Sequence, residues 1–435
     1  MNYNHNVFLL PTSINHTVTA SDSSLTDLQS TQDTHVTSIS NLENSINKTL
    51  PDMRMNGYNQ TALSNYIHSI SDPNINSESL VIPYAHGATA VEGAYFEGVY
   101  SPSQNRIYMM PYSQATQTSW HYIDCFDGSV VAYTHGATAV NTAYMNGVYS
   151  PTQNRIYMMP FSQSAQTNWH YIDCSDGSVV AYTHGATVGA TGYSSGVYSP
   201  SQNRIYMTPY GIANETTWHY IDCSDGSVVA YTHGATAVNN AYFGSVYSPS
   251  QNRIYMMPYS QATQSAWHYI DCSDGSVVAY THGATLSGGC WDGAYSPTQN
   301  RIYIMPTENG TQPSWHYIDC SDGSVVAYTH GATTTNNAYS NAVFCPTQNR
   351  IYMMPTLFHG SQTNWHYIDC SDGSVVAYTH GATTVSSGYG GGVYSPIENR
   401  IYLIPLNQGP ETNWHYIKPL TSANASISIM SSLLK

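Results

Sequence analysis

Arginine, aspartate, histidine, cysteine and tyrosine return along this 435-residue chain at one fixed spacing, and each brings its own reactivity. Arg106, Arg155, Arg204, Arg253, Arg301 and Arg350 stand ahead of Asp124, Asp173, Asp222, Asp271, Asp319 and Asp369. If each Arg opens a strand and each Asp closes the next, antiparallel pairing sets them side by side, which suits a charge-assisted contact of bidentate form. Six copies favour a structural role over catalysis. In the seventh copy Arg400 faces Lys418 where Asp is expected, and Glu398 in the preceding turn is placed to compensate.

Fourteen of the nineteen histidines are periodic too, one set running from His121 to His415 after a tryptophan and the other from His86 to His380 at the end of a strand. Their sharper reading is metal or proton chemistry. The plainer one is that they satisfy turn backbones and stack beside Trp, and it is favoured here. The tryptophans Trp120 to Trp414 read in the same way as core between repeats rather than as a sugar platform. Cys125, Cys174, Cys223, Cys272, Cys320 and Cys370 share one repeat position and point alike, so they read as packed free thiols. Cys290 and Cys345 fall elsewhere in the repeat, and no closely paired Cys/His spacing suggests a metal or a cofactor.

A further ring lies seven residues before each SP or CP proline: Tyr95, Tyr144, Tyr193, Tyr242, Cys290, Tyr339 and Tyr389, with Trp291 beside the cysteine. Entering the innermost strand, this position is expected to line the mouth of a central channel. There phenol rings either bind a neutral glycan, with Asn, Gln, Ser and Thr nearby, or simply plug the opening.

What must position these residues is a unit of about 49 residues, since the repeat arginines from Arg106 to Arg400 are spaced 49, 49, 49, 48, 49 and 50 apart. Each unit reads as four short strands, in the second copy Met145 to Ser150, Arg155 to Pro160, Trp169 to Cys174 and Ser178 to His184. Turn sequences SPTQN and SDG sit at the joints. One such sheet cannot bury its own faces, but seven in a ring can. The expected fold is therefore all-β, a seven-bladed β-propeller of four-stranded blades. The last copy stops after WHYIKPL without an outer strand, whereas Leu80 to Gly87 (LVIPYAHG) matches VVAYTHG, so an N-terminal strand is expected to close the ring and cover its edge.

The run SPTQNRIY followed by WHYIDCSDGSVVAYTHG resembles the YVTN type of propeller repeat, with its SPDGKRLYV, VIDTATGKVV and following Gly. The likeness covers Leu80 to about Leu420 and implies the architecture. The Trp-His-Tyr run and the Tyr-rich strands depart from that pattern, so no activity is carried over. Near-identical Asn/Tyr-rich tandem copies also resemble, more loosely, repeat and fibre proteins of large DNA viruses and phages.

Residues 1–78 carry no trace of the repeat. Within 22–50, Leu25, Leu28, Gln32, His35, Ile39, Leu42, Ile46 and Thr49 follow a 3,4 spacing that ends at Pro51. The pattern predicts a short coiled-coil stalk, with a trimer as the expected homo-oligomer through Leu25, Leu28, Ile39, Leu42 and Ile46; a single amphipathic helix lying on the propeller is the other reading. The propeller is assigned to 79–420 and a tail to 421–435.

Net charge is −15, and no lysine occurs between Pro51 and Ile417, which speaks against a nucleic-acid partner or an anionic membrane surface. No stretch approaches the roughly 18 apolar residues of a membrane span, and the N-terminus has no basic leader. Six sequons, at Asn15, Asn47, Asn59, Asn214, Asn309 and Asn424, permit glycosylation where the compartment offers it. The turns SPxxN and DCSDG hardly vary between copies, while the loop after THGAT and the loop after the second strand differ in every one and share a rim. With no GxSxG, HExxH or phosphate loop, no catalytic residue is assigned. The expectation is a non-enzymatic structural or adhesion protein, a virion or phage fibre or surface component whose partners are other virion proteins or a cell-surface glycan. A soluble glycan-binding lectin and, last, a propeller enzyme are the alternatives.

Overall fold

The computed structural model describes residues 79–419 apart from 285 and 356–361; the heptad segment 22–50 and its seam residues lie outside them. The described residues form twenty-eight strands, β1 to β28 in chain order, in seven antiparallel sheets of four. The protein is an all-β seven-bladed propeller. Blade 1 is β2 (Tyr95–Ser101), β3 (Arg106–Pro111), β4 (Ser119–Asp124) and β5 (Val130–Thr134), from the channel outwards. Every second strand is buried from its second residue onward, an unbroken apolar run where a sheet with one wet face would alternate, because neighbouring blades cover both of its faces. The outer strand VVAYT does alternate between half-buried and exposed positions. Asn105, at φ 53°, makes the left-handed turn into β3 that the SPxxN sequence provides.

The core lies between blades. Tyr108, Met110 and Trp120 of blade 1 pack on Ile156, Met158 and Cys174 of the next. All eight cysteines are buried free thiols, and burial pushes Cys174 up to about 11 and Cys290 up to about 12, which leaves these two unreactive. On the invariant rim, Ser103 Oγ of one blade donates to Asn154 Oδ1 at 2.8 Å and to the Cys174 carbonyl at 3.0 Å in the next. The seventh sheet runs β1 (Ser79–Ala85), β28 (Asn413–Pro419), β27 (Arg400–Pro405), β26 (Tyr389–Ser395), with Val81 opposite Ile417 and Tyr84 opposite Trp414.

Each repeat Arg is in register with its Asp, from Arg106 and Asp124 to Arg350 and Asp369. The bidentate contact does not form. Where an ion pair is present the Arg Nε lies 3.7–4.0 Å from the carboxylate. The guanidinium carbon instead lies over the third-strand tyrosine, 4.2–4.4 Å from its centroid in all seven blades, because the pleat brings that ring beneath it. In blade 7, Arg400 Nη1 bonds Glu398 Oε1 at 2.8 Å and Tyr402 OH donates to Glu398 Oε2 at 2.5 Å, so the acid in the turn does compensate. Arg204→Met is accordingly expected to cost about 1 kcal/mol, the scale of a half-exposed cation–π contact, in urea denaturation. A loss above about 3 kcal/mol would show that the ion pair, not the stacking, dominates.

Candidate functional site at the channel mouth

The tyrosine ring does not line the channel. Tyr95, Tyr144, Tyr193, Tyr242, Tyr339 and Tyr389 are fully buried, and their hydroxyls meet Nδ1 of His121, His170, His219, His268, His366 and His415, at 2.5–2.6 Å in four of the pairs. The cause is local. Each inner strand of these six blades breaks register just after its tyrosine, and the bulge turns that side chain inward. Burial raises these phenols strongly, so each donates its proton to a neutral imidazole, and desolvation holds His121, His170, His268 and His415 down to about 4. In blade 5 the ring is broken: Cys290 replaces Tyr, and the buried His316 has no partner on either nitrogen.

The second histidine set is also structural. His135 lies parallel to Trp120 at 3.8 Å, accepts from Ala137 N–H at Nδ1 and donates from Nε2 to the Gln117 carbonyl at 2.6 Å. Of the sequons in the propeller, Asn214 is exposed, but Asn309 is 1% exposed with its amide bonded to the Gly288 carbonyl, so the folded blade withholds it from modification.

What faces the channel is the pair of residues after each tyrosine position. Phe96 and Glu97, Asn146, Ser194 and Ser195, Phe243, Trp291 and Asp292, and Ser340 and Asn341 line a small, partly open depression at the variable rim. Trp291 stacks on Phe243 at 4.7 Å and lies 6.2 Å from Phe96. Tyr112, Phe161, Tyr210 and Tyr259, each following a second strand, continue the aromatic cluster round blades 1 to 4 at centroid spacings of 5.7–6.5 Å. Bringing these residues in so closely needs glycine on the adjoining blades. A Cβ on Gly390 would collide with the Phe96 carbonyl, and one on Gly244 with the Asp292 carboxyl.

A carboxyl pair lines the same cavity as the rings. Asn341 Nδ2 donates at 2.7 Å to Glu97 Oε1 and at 2.7 Å to Asp292 Oδ2, and Asn146 Nδ2 donates to Glu97 Oε2. Burial, then the negative charge of Asp292, raises Glu97 well above the carboxylate range; burial raises Asp292 to about 7 against the pull of the Gly293 N–H. Two such groups on one amide hold a proton between them near neutral pH. Among the described residues no group of three or more His, Cys, Asp or Glu side chains is arranged to hold a metal ion.

Sequence reasoning missed Glu97, Asp292, Asn146 and Asn341. The signal was there: two inner-strand positions, FE, MN, SS, FG, WD, SN and GG from first copy to last, vary as freely as the loops.

No family model and no curated protein matches the chain. Among solved structures it is similar to the extracellular domain of a putative one-component system from B. thetaiotaomicron, with a TM-score of 0.52 and 10% identity over 79% of this chain and 40% of that one. The likeness is one of fold, and the chain spans well under half of that neighbour. No helix among the described residues is long and apolar enough to cross a membrane.

Proposed function

We propose that the protein is a non-enzymatic adhesion or assembly protein whose propeller head captures a glycan at the channel mouth. One observation carries this reading: a half-buried Trp291 stacked on Phe243, in one cavity with carboxyl and amide groups, on the rim where the repeats diverge. An aromatic face beside convergent hydrogen-bonding groups is what a sugar's apolar face and hydroxyls require. The Tyr-ring residues support the site from behind and do not touch the ligand. The heptad segment 22–50 supplies the oligomer, with a trimer preferred, β1 closes the ring against β28, and the setting is a virion surface or other extracellular assembly. An extracellular-domain neighbour accords with that placement.

Trp291→Ala is expected to weaken binding to whichever glycan a printed array selects by at least about tenfold, with the melting temperature nearly unchanged. Equal array signal from the variant would refute the assignment. The acid pair gives the enzymatic alternative its only foothold, as a general acid and base. Both carboxyls, however, accept from the same Asn341 amide, which engages the pair in one hydrogen-bonded unit rather than leaving a free acid facing a free base. Release of reducing sugar by the wild type and not by Glu97→Gln would reverse that judgement.

A further inference from the structure

Glu97 and Asp292 come from opposite sides of the ring, and among the described residues no cation pairs with them. The chain has no lysine between Pro51 and Ile417, and all seven repeat arginines are engaged over tyrosines of their own blades. The neighbouring inner strands present neutral residues to the cavity, among them Asn146, Gly244, Ser340, Asn341 and Gly390. Half-buried, desolvated carboxyls without a counter-charge take one from outside, as a proton or as a cation. Beside them stand the rings of Phe96, Phe243 and Trp291, whose faces favour a cation with organic substituents over a strongly hydrated metal ion. The indole Nε1 of Trp291 is buried in the cavity wall without an acceptor, a vacancy that a hydroxyl beside such a cation would fill. Among the described residues no third carboxylate, histidine or cysteine joins the pair to make a metal-binding group.

Resting on the glycan reading, we infer that the channel mouth takes a sugar bearing a free primary ammonium, an unacetylated amino sugar, whose cation sits on Glu97 and Asp292 beside the aromatic rings. Binding exchanges the proton held by the pair for the ligand's ammonium, so a proton leaves to solvent as the complex forms.

The test is calorimetry on the full chain at pH 7 with the β-1,4-linked disaccharide of glucosamine, its N-acetylated form, the matching glucose disaccharide, a lysine tripeptide and calcium chloride. The glucosamine disaccharide is expected to bind at least tenfold more tightly than the other two sugars, with a heat that varies with buffer ionisation as one released proton requires. Asp292→Asn and Glu97→Gln, which keep shape and hydrogen bonding, should each lose at least tenfold in affinity while melting no lower than the wild type. Equal affinity for the three disaccharides overturns the ammonium and leaves the glycan site standing. No binding of any sugar overturns both. Tighter binding of the tripeptide or of calcium assigns the site to a protein partner or a metal ion and overturns the amino sugar, as does full binding by both variants.

Discussion

A chain that starts at Ala88 is expected to associate and to melt well below one that starts at Ser77. The shorter chain lacks β1, whose seven residues pair with Asn413–Pro419 from Ser79 opposite Pro419 to Ala85 opposite Asn413. It thereby exposes a full row of N–H and C=O groups along β28, a template for pairing with another copy. It also uncovers Ile417 and Trp414, both fully buried in the intact blade, and loses Val81 and the His86 ring stacked on Trp414 at 3.9 Å. Apolar burial of that kind is worth roughly 1.5–3 kcal/mol per side chain, so the seventh blade loses several kcal/mol as well as its covered edge. The comparison with the chain from Ser77 separates this effect from that of removing residues 1–76. Light scattering showing both chains monomeric, with equal melting temperatures, would mean that β1 does not hold the ring.

Acid is expected to unfold the propeller between pH 6.5 and 4. His121, His170, His268 and His415 are about 1% exposed and held near 4, against 6.5 in the unfolded chain. Because the folded values are lowered, the unfolded chain binds more protons throughout that window, and stability falls as pH falls. At about 1.4 kcal/mol per pH unit the upper bound is roughly 3 kcal/mol for each histidine, and the Trp-stacked set, lowered in the same direction, adds to it. The carboxyl pair acts oppositely. Its folded values are raised, so its stabilising share is complete below about pH 4 and is lost as pH rises, for Asp292 through about 7. Four histidines outweigh one pair, and urea midpoints should drop steadily on acidification. In Glu97→Gln/Asp292→Asn the opposing slope vanishes, so the variant gains on the wild type as pH rises from 4 to 7. A wild-type midpoint that is flat between pH 7 and 4.5 would contradict the assignment of neutral, buried imidazoles.

The periodic part of the molecule was legible in the chain because every repeat restates it. The spacing of Arg106 to Arg400 marks the blades, short apolar and aromatic runs mark their strands, and Asn and Gly at the turns mark where they reverse. Even the register of Arg204 with Asp222 followed from the length of the turn chemistry between them. Whether that pair is bidentate or stacked did not follow, since it depends on where the pleat sets Tyr220 beneath the guanidinium.

The site was hidden for a related reason. A repeat draws the eye to what recurs, and the recurrent tyrosines are recurrent because each fills the same buried place against a histidine. Their inward turn comes from a bulge that no alternation of residue types announces. By itself the sequence determined the number of blades, their strands and the rim on which the copies diverge, since these depend on local period and turn chemistry. Only the tertiary structure decided that Glu97 and Asp292 share one amide of Asn341. They lie four repeats apart, and it takes the curvature of the whole ring to set blades 1 and 5 across a channel narrow enough for their side chains to meet.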